Sequence, residues 1–356
     1  MHIPDGYLSP ATCAVTYMVV LPFWYVALQR VKRLLHTRMV PLLAVFSAFS
    51  FVIMMFNLPL PGGTTGHAVG MAIATIVLGP WASMLAISVA LLIQAVFFGD
   101  GGITTFGANC LNMAVVGSLV AYWTYTLIAG KSALDSSRRV VAAAIAGYLA
   151  INVAALLTAI EFGIQPMLFH DASGTPLYAP YPLAIAIPAM MIGHFSIAGL
   201  AELVISGGLV AYLQRANPDL LAYSAPTVAT ELATANVWKS TRALWYMLSG
   251  LMILSPIGLL AAGTAWGEWG VEDFANTKMR EEIVSTSGGV ALPDSVPPGL
   301  EHLASLWSAP IPDYAPSFLH SASVGYILSA VFGAGLILLL FLLISKFASK
   351  KVSVKL

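Results

Sequence analysis

Two histidines near the start of this sequence, at positions 2 and 67, are the side chains best placed to bind a metal ion. The Met1 amine, the His2 amide nitrogen and His2 Nδ1 can chelate one cation through fused five- and six-membered rings. These three nitrogens lie in a plane, which suits Ni(II) or Cu(II) better than Zn(II), because Zn(II) prefers tetrahedral ligands. We expect His67, which follows the glycine- and threonine-rich segment 62–66, to fill the fourth position.

The N-terminus must be free for this chelate to form. Met1 should be retained, because the aminopeptidase that removes it needs a small second residue and His2 is not small. The first residues carry no basic segment, so they do not read as a signal peptide. Two plainer interpretations stay open: His2 is merely the second residue of a chain, and His67 is a polar cap at the start of a helix.

A second group of polar residues falls inside apolar segments. Glu202 is expected to lie within a span eight residues after His194, either as its partner in a polar path or as a satisfied structural carboxylate. The glycine-rich stretch 97–109 either packs over a site or forms a tight turn. Three asparagines are expected to hydrogen-bond neighbouring helices: Asn109, Asn112 and Asn152.

No enzymatic motif is found. Gly130-Lys131-Ser132 ends like a phosphate-binding loop, but Tyr125 stands where its first glycine belongs, and no strand precedes it. Neither HExxH nor GxSxG occurs. We therefore expect no ATP site in this chain and a transporter subunit rather than an enzyme, with ATP hydrolysed by separate subunits.

The amino-acid composition indicates whether the chain lies in water or in a membrane. Charged residues make up 9% of the 356-residue chain, against about a quarter in soluble domains. Hydrophobic residues reach 58% and the mean hydropathy is +0.84. Zero net charge gives no reason to expect a nucleic-acid partner, and Cys13 and Cys110 lie in apolar runs that favour no disulfide. The sequence therefore predicts an all-α integral membrane protein within a lipid bilayer.

Nine apolar stretches are candidates to cross a hydrocarbon core of about 30 Å. Only Gly79 and Pro80 separate the third stretch from the fourth, so this pair is either a tight hairpin or one bent element. The seventh carries Pro188, which predicts a kink or tilt. The stretches are 12–29, 39–56, 66–79, 81–98, 107–129, 139–160, 183–213, 243–263 and 322–346.

Basic residues predict the orientation. With nine spans, 14 of the 16 fall on one side, and Lys278 and Arg280 fall on the other. The N-terminus is then outside and the C-terminus inside. We predict a seven-span metal-binding unit (1–213), a cytoplasmic linker (214–242) and a two-span unit (243–356) whose spans enclose an outer loop (264–321), rich in proline and acidic residues.

The N-terminal motif and later glycine-rich motifs resemble the nickel/cobalt substrate-binding (S) component of energy-coupling-factor (ECF) transporters, of the CbiM/NikM type. The likeness covers about residues 1–213, and 243–346 are similar to the two-span companion subunit (NikN/CbiN) of those systems, with Pro312-Asp313-Tyr314 as part of the match. The motifs of the first unit are Met1-His2-Ile3-Pro4-Asp5-Gly6, Leu8-Ser9-Pro10, Gly66-His67, Gly101-Gly102-Ile103-Thr104 and Gly107-Ala108-Asn109.

The resemblance implies a seven-span helical bundle whose N-terminus inserts into its centre. It implies metal ligation by the Met1 amine, the His2 amide and imidazole, and His67. It also implies two kinds of partner, a membrane coupling (T) subunit and a pair of cytoplasmic ATP-binding-cassette (ABC) ATPases. The small residues Ala44 and Ala48 fit the spacing through which such components meet the coupling subunit.

The leading hypothesis is a component of the cell inner (plasma) membrane that binds Ni(II) as the transported substrate for ATP-driven uptake. Co(II) by the same mechanism is the alternative. A stand-alone channel or secondary transporter based on Glu202 and His194 is a rival, as is a membrane metalloenzyme with Asp5 as its nearest carboxylate. Because amine, amide and imidazole must lose protons to bind metal, affinity should fall on acidification.

Overall fold

The computed structural model describes residues 1–32, 39–61, 63–222, 237–261 and 263–350. Within these ranges the chain is largely helical, which confirms the all-α prediction. Two short strands, β1 (Leu58–Pro59) and β2 (Thr65–Gly66), pair antiparallel. The helices are α1 Pro10–Lys32, α2 Met39–Met54, α3 Met71–Leu78, α4 Pro80–Ile93, α5 Phe106–Asn109, α6 Gly117–Ala129, α7 Ser137–Leu168, α8 Leu183–Gly193, α9 Gly199–Ala216, α10 Asp219–Ala222, α11 Val237–Leu254, α12 Val271–Ala275, α13 Thr277–Thr286, α14 Pro298–Ala304 and α15 Ala322–Lys350.

In the described residues Gln94–Phe98 is a π-helical segment that extends α4 and ends at Gly99. Two further π-helical segments join helices end to end, Cys110–Val116 between α5 and α6 and His194–Ala198 between α8 and α9. Seven of the resulting helices in the described residues are long and apolar enough to cross a membrane. Large apolar side chains such as Leu127, Trp123 and Met18 point outward from them, as expected where the solvent is lipid. The chain is a multi-pass membrane protein of the cell membrane.

The predicted second and third spans are shorter than the others. α2 has 16 residues, and the third span contracts to α3, whose eight residues rise only about 12 Å. α3 turns into α4 at Gly79, where φ is +78°, a backbone conformation that glycine adopts without strain. The Thr75 hydroxyl donates to the Ser83 hydroxyl across this turn at 3.1 Å. Of the two predicted forms, the tight hairpin is therefore the one present.

The predicted seventh span is kinked at Ser196. Helix α8 passes through Pro188, and the non-helical residue is Ser196, with φ −94° and ψ −108°. The Ser196 hydroxyl donates to the Ile192 carbonyl at 2.7 Å. The break separates α8 from α9, so His194 and Glu202 are not on one continuous helical face.

Helix α7 packs against α6, α8 and α9. Its buried face is built from small residues about one turn apart, among them Ala142, Ala146, Ala150 and Ala154. Small side chains let neighbouring backbones approach closely, which is the main source of helix association in lipid.

Helices α11 and α15 pack on α2. Helix α4 packs on α2 as well, and Ala44 and Ala48, both on α2, are fully buried inside this chain. The expectation that these two residues face a coupling subunit is therefore wrong, because the surface they form is already covered. The basic segment 33–38, residues 223–236 of the predicted linker and the tail after 350 lie outside the described residues, and the orientation and the three-part division remain predictions.

The segment predicted as an outer loop, 264–321 and hereafter the long loop, is folded. It contains α12, α13 and α14 around buried Trp266, Trp269 and Phe274. The Tyr7 hydroxyl donates to the Trp269 carbonyl at 2.9 Å. The long loop therefore packs directly on the N-terminal segment.

Candidate metal site

The first residues of the chain are buried inside the protein. Met1 is 2% exposed, His2 1% and Ile3 0%. The Ile3 amide donates to Asn109 Oδ1 at 2.8 Å, and Asn109 Nδ2 donates back to the Ile3 carbonyl at 3.1 Å. The Gly102 amide donates to the same carbonyl at 2.9 Å. These bonds fix the N-terminal segment in an extended form against the glycine-rich loop.

Asp5 fastens the next part of the segment to that loop. Its carboxylate accepts from the Ile103 amide at 3.0 Å, the Thr104 amide at 2.7 Å and the Thr104 hydroxyl. At Gly102 a β-carbon would lie 2.4 Å from the Asp5 amide nitrogen, so only glycine permits this approach. The glycine-rich stretch does pack over the N-terminus, and Asp5 is occupied with backbone hydrogen bonds.

The two imidazoles meet. The ring centroids of His2 and His67 are 4.9 Å apart, with 29° between their planes. His67 Nδ1 lies 3.1 Å from the Ala68 carbonyl, so Nδ1 carries the proton and Nε2 offers a lone pair. His67 Nε2 is buried and has no hydrogen-bond partner in the described part of the chain. Burial, and then the nearby His2 charge, hold the pKa of His67 well below its usual value, which keeps the ring neutral.

Two carboxylates neutralise the terminus. The Met1 ammonium is 2.8 Å from Glu268 Oε1, and His2 Nδ1 is 2.7 Å from Asp100 Oδ1. Burial alone would raise the pKa of Asp100, but the His2 imidazole lowers it below its ordinary range. The structure thus brings together Met1, His2 and His67 and adds two acidic groups that the sequence interpretation did not assign.

Asp100 is itself held from the other side. Its Oδ2 accepts from Gln94 Nε2 at 3.0 Å and from the Tyr314 hydroxyl. Gln94 Nε2 also lies 2.9 Å from the Tyr314 hydroxyl, and the Tyr314 ring stacks on Phe98 with centroids 4.6 Å apart. Tyr314 and Asp313 have positive φ values of 59° and 53°, a conformation uncommon outside glycine. A residue of the second predicted unit thereby orients Asp100.

Three buried polar residues, Gln94, Asn109 and His194, lie at or next to π-helical segments. Gln94 and His194 each begin a π-helical segment, and Asn109 directly precedes the third. Such segments occur frequently at functional sites, because the extra residue per turn redirects a side chain. His194 Nδ1 is 2.8 Å from the Met190 carbonyl and is buried.

The intramembrane carboxylates have structural partners. Glu202 Oε2 accepts from the Val69 and Gly70 amides at 2.8 and 2.9 Å, at the N-terminus of α3, where a negative charge is favoured. The alternative of a Glu202–His194 pair is therefore wrong, since each has a different partner. Glu161, like Glu202, is an acidic residue inside a helix long enough to cross the membrane, because α7 runs beyond the predicted end at 160. It accepts from Asn112 Nδ2 at 2.7 Å.

The three asparagines expected to join helices behave differently. Asn112 on the π-helical segment before α6 does reach α7, bonding Thr158 as well as Glu161. Asn152 bonds the Tyr148 carbonyl of its own helix at 2.7 Å. Asn109 holds the N-terminal segment. Its role at the site was missed, and the signal that could have found it is its place in the Gly107-Ala108-Asn109 motif that ends the glycine-rich stretch.

A cavity of about 610 Å³ leads to the site. Both predicted units line it, and it contains six acidic side chains: Asp5, Asp100, Glu268, Glu272, Asp273 and Asp313. A cleft with charges of one sign concentrates ions of the other sign. The fold and site define a multi-pass membrane protein whose own buried N-terminus, a free imidazole nitrogen and an acidic cleft converge on one point.

Known proteins share this arrangement of units. Residues 2–220 match the family model described as "Cobalt uptake substrate-specific transmembrane region", and 240–350 match the PDGLE domain. The chain belongs to the CbiM/NikM family, in the form fused to a companion-like second part. It is 58% identical to a fused nickel transport protein NikMN of Rhodobacter capsulatus, over 95% of each chain.

Two further relatives extend the comparison. A probable fused nickel transport protein LarMN of Lactiplantibacillus plantarum is 44% identical over 96% of each chain. A crystal structure of a truncated transition metal transporter is 51% identical, with a TM-score of 0.56, and covers 60% of this chain and 98% of its own.

Proposed function

We propose that this chain is the substrate-specific component of an ATP-driven ECF-type system for Ni(II) uptake. The observation that carries the proposal is the meeting of the buried N-terminus with the unpartnered His67 Nε2. The relatives named as nickel transport proteins support the choice of metal class. The cell membrane is the place where such a component works.

The proposed ligands are the Met1 amine, the His2 amide nitrogen, His2 Nδ1 and His67 Nε2. In this structure the amine is paired with Glu268 and the His2 ring with Asp100. Binding therefore requires both ion pairs to open. A planar set of four nitrogens favours Ni(II) over tetrahedral ions, and the burial of Met1 and His2 keeps competing water away from them.

Co(II) is the alternative substrate, and the family model's own description names cobalt. Planar nitrogen donors favour Ni(II), which is why we place it first. The proposed partners are a membrane coupling subunit and two ABC ATPases, since uptake against a gradient needs an energy source. We also propose that the N-terminus and the long loop lie outside the cell and the C-terminus inside.

The test is metal binding to purified full-length protein whose N-terminus is native. We expect one Ni(II) per chain in a yellow, diamagnetic, planar complex. One residue added before Met1 converts the amine to an amide, so the planar spectrum should vanish. His67→Ala should weaken binding strongly, whereas His170→Ala, an exposed histidine elsewhere, should not.

The proposal would be overturned by equal Ni(II) binding in the native and the extended protein. If the extended protein binds Ni(II) with the same affinity and spectrum as the native protein, the chelating N-terminus is excluded. Normal binding by His67→Ala would remove only the fourth ligand and leave the three-nitrogen chelate in place. Tighter Co(II) than Ni(II) binding, with the same response to the extension, would keep the site and change the substrate.

A further inference from the structure

A second set of metal-ligating atoms lies beside the proposed chelate. One ligand atom from each of His2, Asp100 and Glu268 lies within 4.8 Å of the other two. Bonds of about 2.0–2.2 Å from a transition-metal ion to nitrogen or oxygen place opposite ligands about 4.0–4.4 Å apart. The three groups can therefore close on one cation with small movements.

We propose that these three residues, hereafter the capture site, bind the divalent cation first and then pass it to the nitrogen chelate. This proposal rests on the proposed function, because it gives that chelate its loading step. It assigns to Glu268, a residue of the long loop, a direct contact with the transported ion.

Exposure gives the direction of this path. The carboxylate side chains of Asp100 and Glu268 are each 19% exposed, whereas the His2 side chain is 1% exposed. Both ring nitrogens of His2 lack a hydrogen-bond partner in the described residues, although Nδ1 lies at ion-pair distance from Asp100. A cation arriving along the cleft therefore meets oxygen ligands first and the imidazole last.

The charge of the cleft favours the same order. Six carboxylates line it, and none of its described lining residues is a lysine or arginine. Acidic walls raise the local concentration of cations and their rate of arrival. The cleft is therefore matched to a hydrated dication rather than to a metal delivered as an anionic complex.

Ligand chemistry explains why two sites are useful. A hydrated dication can exchange water for carboxylate oxygen at once, whereas the chelate needs nitrogens that have lost their protons. In the transfer, the bonds from the metal to Asp100 and Glu268 break. Bonds form to the Met1 amine, the His2 amide nitrogen and His67 Nε2, and the displaced protons leave through the cleft to water.

The test is the rate of Ni(II) capture by the purified full chain with a native N-terminus, followed by the absorbance of the planar complex. Removing a steering and ligating charge should slow association about tenfold in Glu268→Gln. Dissociation should slow by a similar factor, because the ion leaves by the same path, so Kd stays within about threefold. Glu281→Gln is the matched control, since Glu281 is exposed on the long loop outside the cleft.

Mn(II) is the second probe, because it prefers oxygen ligands and forms planar nitrogen chelates poorly. Mn(II) should slow Ni(II) capture in the unmodified protein and should have no effect on Glu268→Gln. Equal association rates for Glu268→Gln and Glu281→Gln would overturn the capture site. Faster dissociation with a raised Kd would also overturn it, because Glu268 would then only anchor the terminus.

Failure of the proposed function gives a different result. If a residue added before Met1 leaves the planar spectrum and the Ni(II) affinity unchanged, the chelate is wrong whatever the capture rate does. If that extension abolishes the planar complex while Glu268→Gln captures Ni(II) at the unmodified rate, the chelate stands and the capture site falls.

Discussion

The N-terminal segment and the long loop both reach the metal site, but they contribute opposite chemistry. The N-terminal segment brings the proposed nitrogen ligands and is held through its backbone by Asn109 and Gly102. The long loop brings the Glu268 carboxylate and the Tyr314 hydroxyl, which act on the charges around those nitrogens. The proposed ligands and the carboxylates proposed to load them therefore come from different parts of the chain.

The largest effect on Ni(II) binding should come from removing a proposed nitrogen ligand of the N-terminal segment. One residue added before Met1 removes the amine donor, so Ni(II) affinity should fall more than about 100-fold, the upper end for loss of supporting contacts alone. Isothermal titration with the native and extended proteins checks this. An extension of one residue at the C-terminus is the control and should change nothing.

Removing the anchor of the N-terminal segment should have the next largest effect. Asn109→Ala leaves the buried Ile3 amide without its partner, which costs about 1–3 kcal/mol, and frees the segment to move. We expect Ni(II) affinity to fall about 10–100-fold. Asn152→Ala is the matched control, because Asn152 bonds only within its own helix; an equal loss in both variants would reduce Asn109 to general packing.

Acidification should weaken binding through the same nitrogens. Each proton that must leave on binding makes affinity fall about tenfold per pH unit where its group is protonated. The pKa of His67 is lowered by burial, so His67 is already neutral and adds no proton of its own to this slope. Titrations between about pH 8 and 6 should show weaker binding at the acidic end; a flat profile contradicts an amine ligand.

The smallest effect on Ni(II) binding should come from changing Tyr314, a residue of the long loop. Tyr314→Phe keeps the ring stacked on Phe98 but removes the hydroxyl from Asp100. Capture of Ni(II) should slow only a few-fold, because Asp100 keeps its charge and its hydrogen bond from Gln94. Tyr326→Phe is the control, because its hydroxyl bonds the Met55 carbonyl instead. Equal rates of Ni(II) capture in the two variants would show that the Tyr314 hydroxyl has no part in capture.

Much of the fold followed from hydropathy, because a lipid solvent demands long apolar helices. Hydropathy did not predict the exact lengths of the helices or the positions of their irregular turns. It counted the short third stretch, 66–79, among the spans, although α3 has only eight residues. It ended the sixth stretch at 160, so Glu161, which lies inside α7, was missed. It also gave no sign of the kink at Ser196. Backbone breaks supported by side-chain hydrogen bonds leave little trace in composition.

The sequence by itself determined the membrane class, and it was enough to propose Met1, His2 and His67 as metal ligands. These depend on residue type and position along the chain, which are local properties. Only the tertiary structure decided that Asp100 and Glu268 neutralise the terminus and that Tyr314 orients Asp100. Glu268 lies 267 residues from Met1, and an ion pair over that separation exists only because the long loop folds onto the N-terminal segment.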